Sequence, residues 1–181
     1  EKGIVKPWLW NYPGLVSPIG KLSSGASGVG VNVTAPEPDS VVRKMPMLIL
    51  LDDKKIYPSM ILETVRVVHG SKRIKVVGSQ KGIEEILVKK QVGVPINKNA
   101  EMYIHYADPK KYHYVSAEEI FTNTNPKLLE NRIVVVGLDA AGLSHLKDTP
   151  FQLMTDQQIS AQALDTLLTE SYLLRPTDID N

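Results

Sequence analysis

The chain has 181 residues, 43% hydrophobic and 23% charged, which excludes a disordered tract and suits one domain of roughly 100–200 residues. Its 21 basic and 20 acidic residues leave a net charge of +1, too little for the domain-wide basic field of a nucleic-acid binder. It contains no cysteine, which removes disulfides, thiolate metal ligands and a cysteine nucleophile.

The longest wholly apolar run is seven residues, from Met45 to Leu51, and a membrane-spanning helix needs about 18. There is no initiator Met and no signal-peptide pattern, so Glu1 reads as a cut inside a longer chain. Charge is uneven: from Asp139 onward seven acids face two bases, and the earlier part holds nineteen bases against thirteen acids. The Lys pairs 54–55, 89–90 and 110–111 sit beside turn residues and read as solvated loop charges rather than a phosphate-binding stripe.

Residues 1–28 are rich in Pro, Gly and Ser, which predicts irregular structure. They also carry Trp8, Trp10, Tyr12, Leu15, Val16 and Ile19, more apolar weight than a free linker would hold. The segment is therefore expected to pack on the domain, with at least one Trp mostly buried. Residues 29–33 alternate as a short strand, and 41–51 as a second strand after the turn cluster at 35–40. The two suggest a hairpin with a wide loop. Tyr57, Pro58 and Ser59 open a helix, with Pro58 in its first turn; Met60, Ile61, Val65 and Val68 share one face and Gly70 stops it. Strands are predicted at 74–77, 83–88, 92–96 and 102–106; the charges around 83–88 also fit a helix, but the alternation that follows favours strand. Ser116 and Glu119 have capping-box spacing and predict a short helix to about Thr122. Ile133, Val134, Val135 and Val136 read as a strand buried on both faces, central in the sheet. A last helix, capped by Thr155 or Asp156, runs to about Tyr172; Ile159, Ala163, Leu164, Leu167 and Leu168 form its inner face, and Gln162, Asp165 and Thr169 its outer face. The pattern is that of one α+β domain, a mixed β-sheet with flanking helices.

The sharpest local feature is the run from Val134 through Gly137 and Gly142 to Pro150, an apolar segment entering a glycine loop. In open sheets such strand ends hold ligands. A phosphate loop would need Gly-Lys-Ser/Thr, and Leu143 stands where the Lys belongs; a G-x-G-x-x-G fingerprint is absent. Two readings stay open: a structural loop whose glycines relieve the backbone, or a small-molecule site built on Gly137, Asp139, Gly142, His145 and Asp148. In the second, His145 is a candidate for pH response. Ser144, His145 and Asp148 are too close in sequence for a triad, whose members come from distant segments. His69, His105, His113 and His145 lack metal-ligand spacing. No catalytic residue, no metal and no cofactor is called for by the sequence.

Several segments, in order, resemble one known family. They are Gly30 to Asn32; Pro38 and Asp39 with Arg43, Lys44 and Pro46; Tyr57 to Ser59; Ile96, Asn97 and Ile104 to Tyr106; Val115 to Ile120; Leu129 to Gly137 with Gly142, Leu143 and Asp148 to Pro150; and Ile159 to Ala161 with Leu167, Leu168 and Leu174 to Pro176. The run, covering about residues 25–176, resembles the second type of CHASE domain (cyclases/histidine kinases associated sensory extracellular). No single motif is specific, but their order and spacing are. Departures are Ser40 and Ser160 where the family has glycine, and an N-terminal portion of the family domain that has no counterpart before Glu1.

The resemblance implies an extracytoplasmic ligand-sensing domain of a bacterial transmembrane receptor, on the periplasmic or extracellular face of the inner membrane. The domain itself would be non-catalytic. Its output would be a cytoplasmic adenylate or diguanylate cyclase or a kinase, working as a homodimer, with an unknown small-molecule signal, no nucleic acid, and membrane contact only through spans outside this chain. The organisation expected is residues 1–28 as a packed N-terminal segment, 29–176 as the sensory domain, and 177–181 as a tail toward a membrane span, with the last helix transmitting the signal. The rival is a stand-alone soluble enzyme that holds a small molecule in the glycine loop after Val136.

Overall fold

A computed structural model describes residues 5–35, 37–89, 92–122, 127, 129–140 and 144–174. The strands are β1 (Trp10–Tyr12), β2 (Lys44–Pro46), β3 (Leu48–Leu51), β4 (Lys55–Pro58), β5 (Lys75–Ser79), β6 (Gly82–Lys89), β7 (Val92–Val94) and β8 (Glu101–Tyr103). The helices are α1 (Gly20–Gly25), α2 (Met60–Val68), α3 (Ala117–Thr122) and α4 (Asp156–Leu168). The strands form three small sheets: β1-β3-β4, β2-β8 and β5-β6-β7. β1 runs parallel to β3 and the other pairs are antiparallel, so the domain is α+β with mixed sheets.

The sheets form where sequence supplies both pattern and turn. β3 and β4 close on Asp52 and Asp53, which take positive φ of 48° and 53°, a conformation that Asp tolerates better than most residues. Asn11 of β1 fixes this turn by donating to Asp53 Oδ1 at 2.8 Å. β5 and β6 close on Gly82, at φ 139°, where a Cβ would stand only 2.5 Å from that of Lys98. α2 starts after Ser59, whose Oγ accepts from the Leu62 N–H. Gly30 lies against its first turn, a Cβ there falling 2.6 Å from Met60 Cα. That approach lets Val31 pair across the start of α2, with N–H to Pro58 O at 2.9 Å and C=O from Met60 N at 2.8 Å.

One core joins the elements. Met45, Leu48 and Leu50 of β2 and β3 meet Ile61, Leu62 and Val65 of α2, Ile83, Ile86 and Val88 of β6, and Met102 and Ile104 at β8. Ile159, Ala163, Leu164 and Leu167 of α4 close it, and α4 packs against α2.

The structure corrects several expectations. Residues 133–136 form no strand: Ile133, Val134 and Val136 are 44%, 47% and 89% exposed. Among the described residues no strand of the three sheets pairs with this segment, and the chain beyond β8 is held by side chains of α4 instead. Residues 29–33 make a single bridge, Val31 to Ser59, and no hairpin with 41–51. The expected strand 41–51 divides at Met47, β2 turning to β8 and β3 to β1 and β4. Pro58 ends β4 rather than beginning a helix. Near the N-terminus Val5 and Leu9 are buried and Trp8 packs against the core, whereas Trp10 is about half exposed, its indole N–H donating to Glu101 at 2.9 Å. Val16, Ile19 and Leu22, around α1, stay exposed.

Candidate functional site

α4 has the full reciprocal cap, Thr155 Oγ1 accepting from Gln158 N and Gln158 Oε1 from Thr155 N. Its hydrophobic face enters the core, but Gln162, expected outside, is 1% exposed. The carboxamide reads the backbone of Ala107 as a strand edge would: Nε2 donates to Ala107 O at 3.0 Å and Oε1 accepts from Ala107 N at 2.9 Å. Thr166, one turn on, accepts from His105 N at 3.1 Å. Tyr112 donates toward both Gln162 Oε1 and Asp165 Oδ2, at 3.2 and 3.1 Å. Burial first, then the adjacent Asp165 charge, pushes the Tyr112 phenol well above its ordinary range. The backbone groups of His105 and Ala107 are thus met by a helix instead of a strand, whereas Ile104 still donates to Arg43 O at 2.9 Å.

This clamp shapes a cavity of about 390 Å³. It is lined by the stretch Tyr103, Ile104, His105 and Tyr106, by Arg43, by Pro150 and Phe151, and by Leu173 and Leu174, which follow α4. Tyr106 donates to Val42 O at 2.8 Å, and burial holds its phenol far above the usual tyrosine range. Arg43 is bound by carboxylates: Nη2 to Asp39 Oδ2 at 2.7 Å and Nη1 to Glu37 Oε2 at 3.1 Å. Hydrogen bonds from Arg43 hold the Asp39 carboxyl below its usual range. Lys44 stands 3.5 Å from Glu37 and 3.8 Å from Glu101, and its ammonium lies over the Tyr103 ring. The cavity is apolar in its walls and charge-balanced at its edge.

The sequence-derived candidates lie elsewhere. Gly137 abuts Gln157, whose Nε2 donates to Leu138 O at 2.6 Å, so this end of the loop rests on the first turn of α4; a side chain at 137 would collide with Gln157. Asp148 is exposed, and its carbonyl accepts from Val42 N at 2.8 Å. Asp139 and His145 are exposed, and Gly142 lies outside the described residues. No hydrogen bond or ion pair among the described residues joins the side chains of Asp139, His145 and Asp148. No metal-ligating group of three or more acids and histidines forms among the described residues. The pocket residues were missed because they come from four remote stretches; the aromatic cluster Tyr103, His105, Tyr106 was the only local hint.

Comparison with known proteins gives a family. The model of the CHASE2 domain matches residues 5–180, essentially the whole chain. The chain belongs to the CHASE2 domain family, a family of extracellular sensory domains. No curated protein and no solved structure matches it. Among the described residues no helix is long and apolar enough to cross a membrane.

Proposed function

We propose that the chain is the extracytoplasmic sensory domain of a bacterial transmembrane receptor and controls a cytoplasmic nucleotide cyclase or kinase. The match to the CHASE2 domain over residues 5–180 carries this reading. The domain contributes recognition and movement rather than catalysis. α4 is the element suited to pass a signal on, because it ties the core to the segment that follows it: its buried face lies on α2, and its polar residues grip residues 105–107. Since receptors of this kind act as dimers, the relative placement of two such helices is the quantity a signal would alter.

A cysteine-free chain makes the location directly testable. A single cysteine at exposed Lys55 in the full-length protein is expected to react with a membrane-impermeant maleimide in intact cells whose outer membrane is permeabilised. Labelling only after lysis refutes an extracytoplasmic domain. Output is tested in the same protein by inserting residues after Leu168. A changed rate of cyclic-nucleotide formation or autophosphorylation is expected, and an unchanged rate removes α4 as the transmitter.

A further inference from the structure

We infer that the cavity between residues 103–106 and Leu173–Leu174 binds an uncharged, largely apolar small molecule of about two fused rings, and that occupancy bears on the path leaving α4. The first half stands on the geometry alone; the second rests on the sensory reading above.

Size and lining come first. A volume of about 390 Å³ lies within the range of roughly 300–1,000 Å³ typical of small-molecule sites, which are mostly apolar with a few placed polar groups. Here the apolar surface is Ile104, Phe151, Leu173 and Leu174 with the rings of Tyr103 and Tyr106. Charge then selects the class. Among the described residues the permanent cation in the lining is Arg43, which already holds Asp39 and Glu37, so an anionic ligand would have to compete with two carboxylates. A cationic ligand would find those carboxylates already engaged by Arg43 and Lys44. Either ion would have to displace one of these pairs to gain a counter-charge, whereas an uncharged ligand displaces none. The Tyr106 hydroxyl is committed to Val42 O. The His105 imidazole makes no hydrogen bond among the described residues and offers one polar contact at the rim.

Position supplies the consequence. The wall 103–106 runs into the backbone gripped by Thr166 and Gln162, and the wall made by Leu173 and Leu174 begins five residues beyond the last residue of α4. A ligand touching both walls favours one spacing of the exit segment over others. It moves that equilibrium by its differential affinity for the two arrangements.

N-phenyl-1-naphthylamine, an uncharged fluorescent ring compound, is the probe. The 181-residue chain is expected to bind it saturably at one site. 1-Naphthalenemethanol should displace it, and 1-naphthoate should do so at least tenfold more weakly. Phe151→Arg and Leu174→Arg, at side chains that are half exposed and tolerate charge, should each weaken binding at least tenfold. Val16→Arg, at an exposed apolar residue outside the pocket, should leave it unchanged. Circular dichroism checks each fold, and if one pocket variant misfolds the other decides. Non-saturable binding, or equal losses in Val16→Arg and the pocket variants, overturns the site. Equal displacement by the carboxylate overturns the ligand class. In the full-length protein the same compound should change output. Binding without that change refutes the coupling and leaves the pocket standing, whereas absence of binding refutes the pocket and leaves the sensory reading intact.

Discussion

Gln162 holds the segment after β8 to the last helix, and its loss has a calculable cost. Gln162→Leu keeps most of the side-chain volume and removes both hydrogen bonds to Ala107 and the one from Tyr112. A buried donor or acceptor left bare costs about 1–3 kcal/mol. Ala107 is only half-buried, so water reaches its backbone in part and the lower end applies. Two backbone groups then cost about 2 kcal/mol, and the transfer energy that Leu regains at a buried site trims this to about 1–2 kcal/mol. For a chain of this length each 1 kcal/mol moves the melting temperature by about 2–4 °C, so a fall of roughly 2–8 °C is expected. Thermal unfolding followed by circular dichroism measures it. Amide exchange at His105 and Ala107 should accelerate in the variant more than exchange in β6, since the clamp opens before the core does. A variant within about 0.5 kcal/mol of the parent, with unchanged exchange at Ala107, refutes the clamp; that is the spread of ordinary surface substitutions.

Three other outcomes follow from named contacts. Val136→Lys should change stability by less than about 0.5 kcal/mol in chemical denaturation, because the side chain is 89% exposed; a loss of several kcal/mol would restore the buried strand that the sequence suggested. Thr155→Ala breaks the capping box of α4 and should cost about 1 kcal/mol, read from the shift in urea midpoint, and Thr155→Ser should recover most of it. Asp39 has its native pKa lowered by Arg43, so its contribution is present above the unfolded value of 3.8 and is lost as pH falls through the lower native value. Asp39→Asn should therefore be less stable than the parent at pH 7 and equal to it once both are acidified well below pH 3.8. A difference that persists in acid assigns the effect to something other than the Arg43 pair.

How much of this was legible beforehand varied with the range of the interactions. Local signals were reliable. The stretch Tyr57 to Ser59 announced α2, though with its start placed early, at Pro58; Thr155 or Asp156 announced α4, Gly70 ended the first, and alternation identified β6 in spite of its charges. The family resemblance was legible too, because it lies in the order of short motifs, and the domain match covers the same stretch. The single α+β class followed from these elements together.

Partnership was decided by the tertiary structure alone. Ile133 to Val136 have strand propensity, but propensity makes a strand only where a neighbouring strand pairs with it, and none of the described strands does. Gln162 looks like a solvent-facing residue by composition and helix period, yet it is buried because the backbone of Ala107 and the Tyr112 hydroxyl supply its hydrogen bonds. The pocket is invisible in sequence for the same reason. Arg43, Tyr103, Phe151 and Leu174 are drawn from across the chain, and their convergence is set by packing around α4, not by any spacing along the chain. The sequence by itself determined α2, α3 and α4, the strands of the β5–β7 meander, and the family; which faces meet, and hence where a cavity opens, was fixed only when non-local contacts chose among partners that local propensity leaves equivalent.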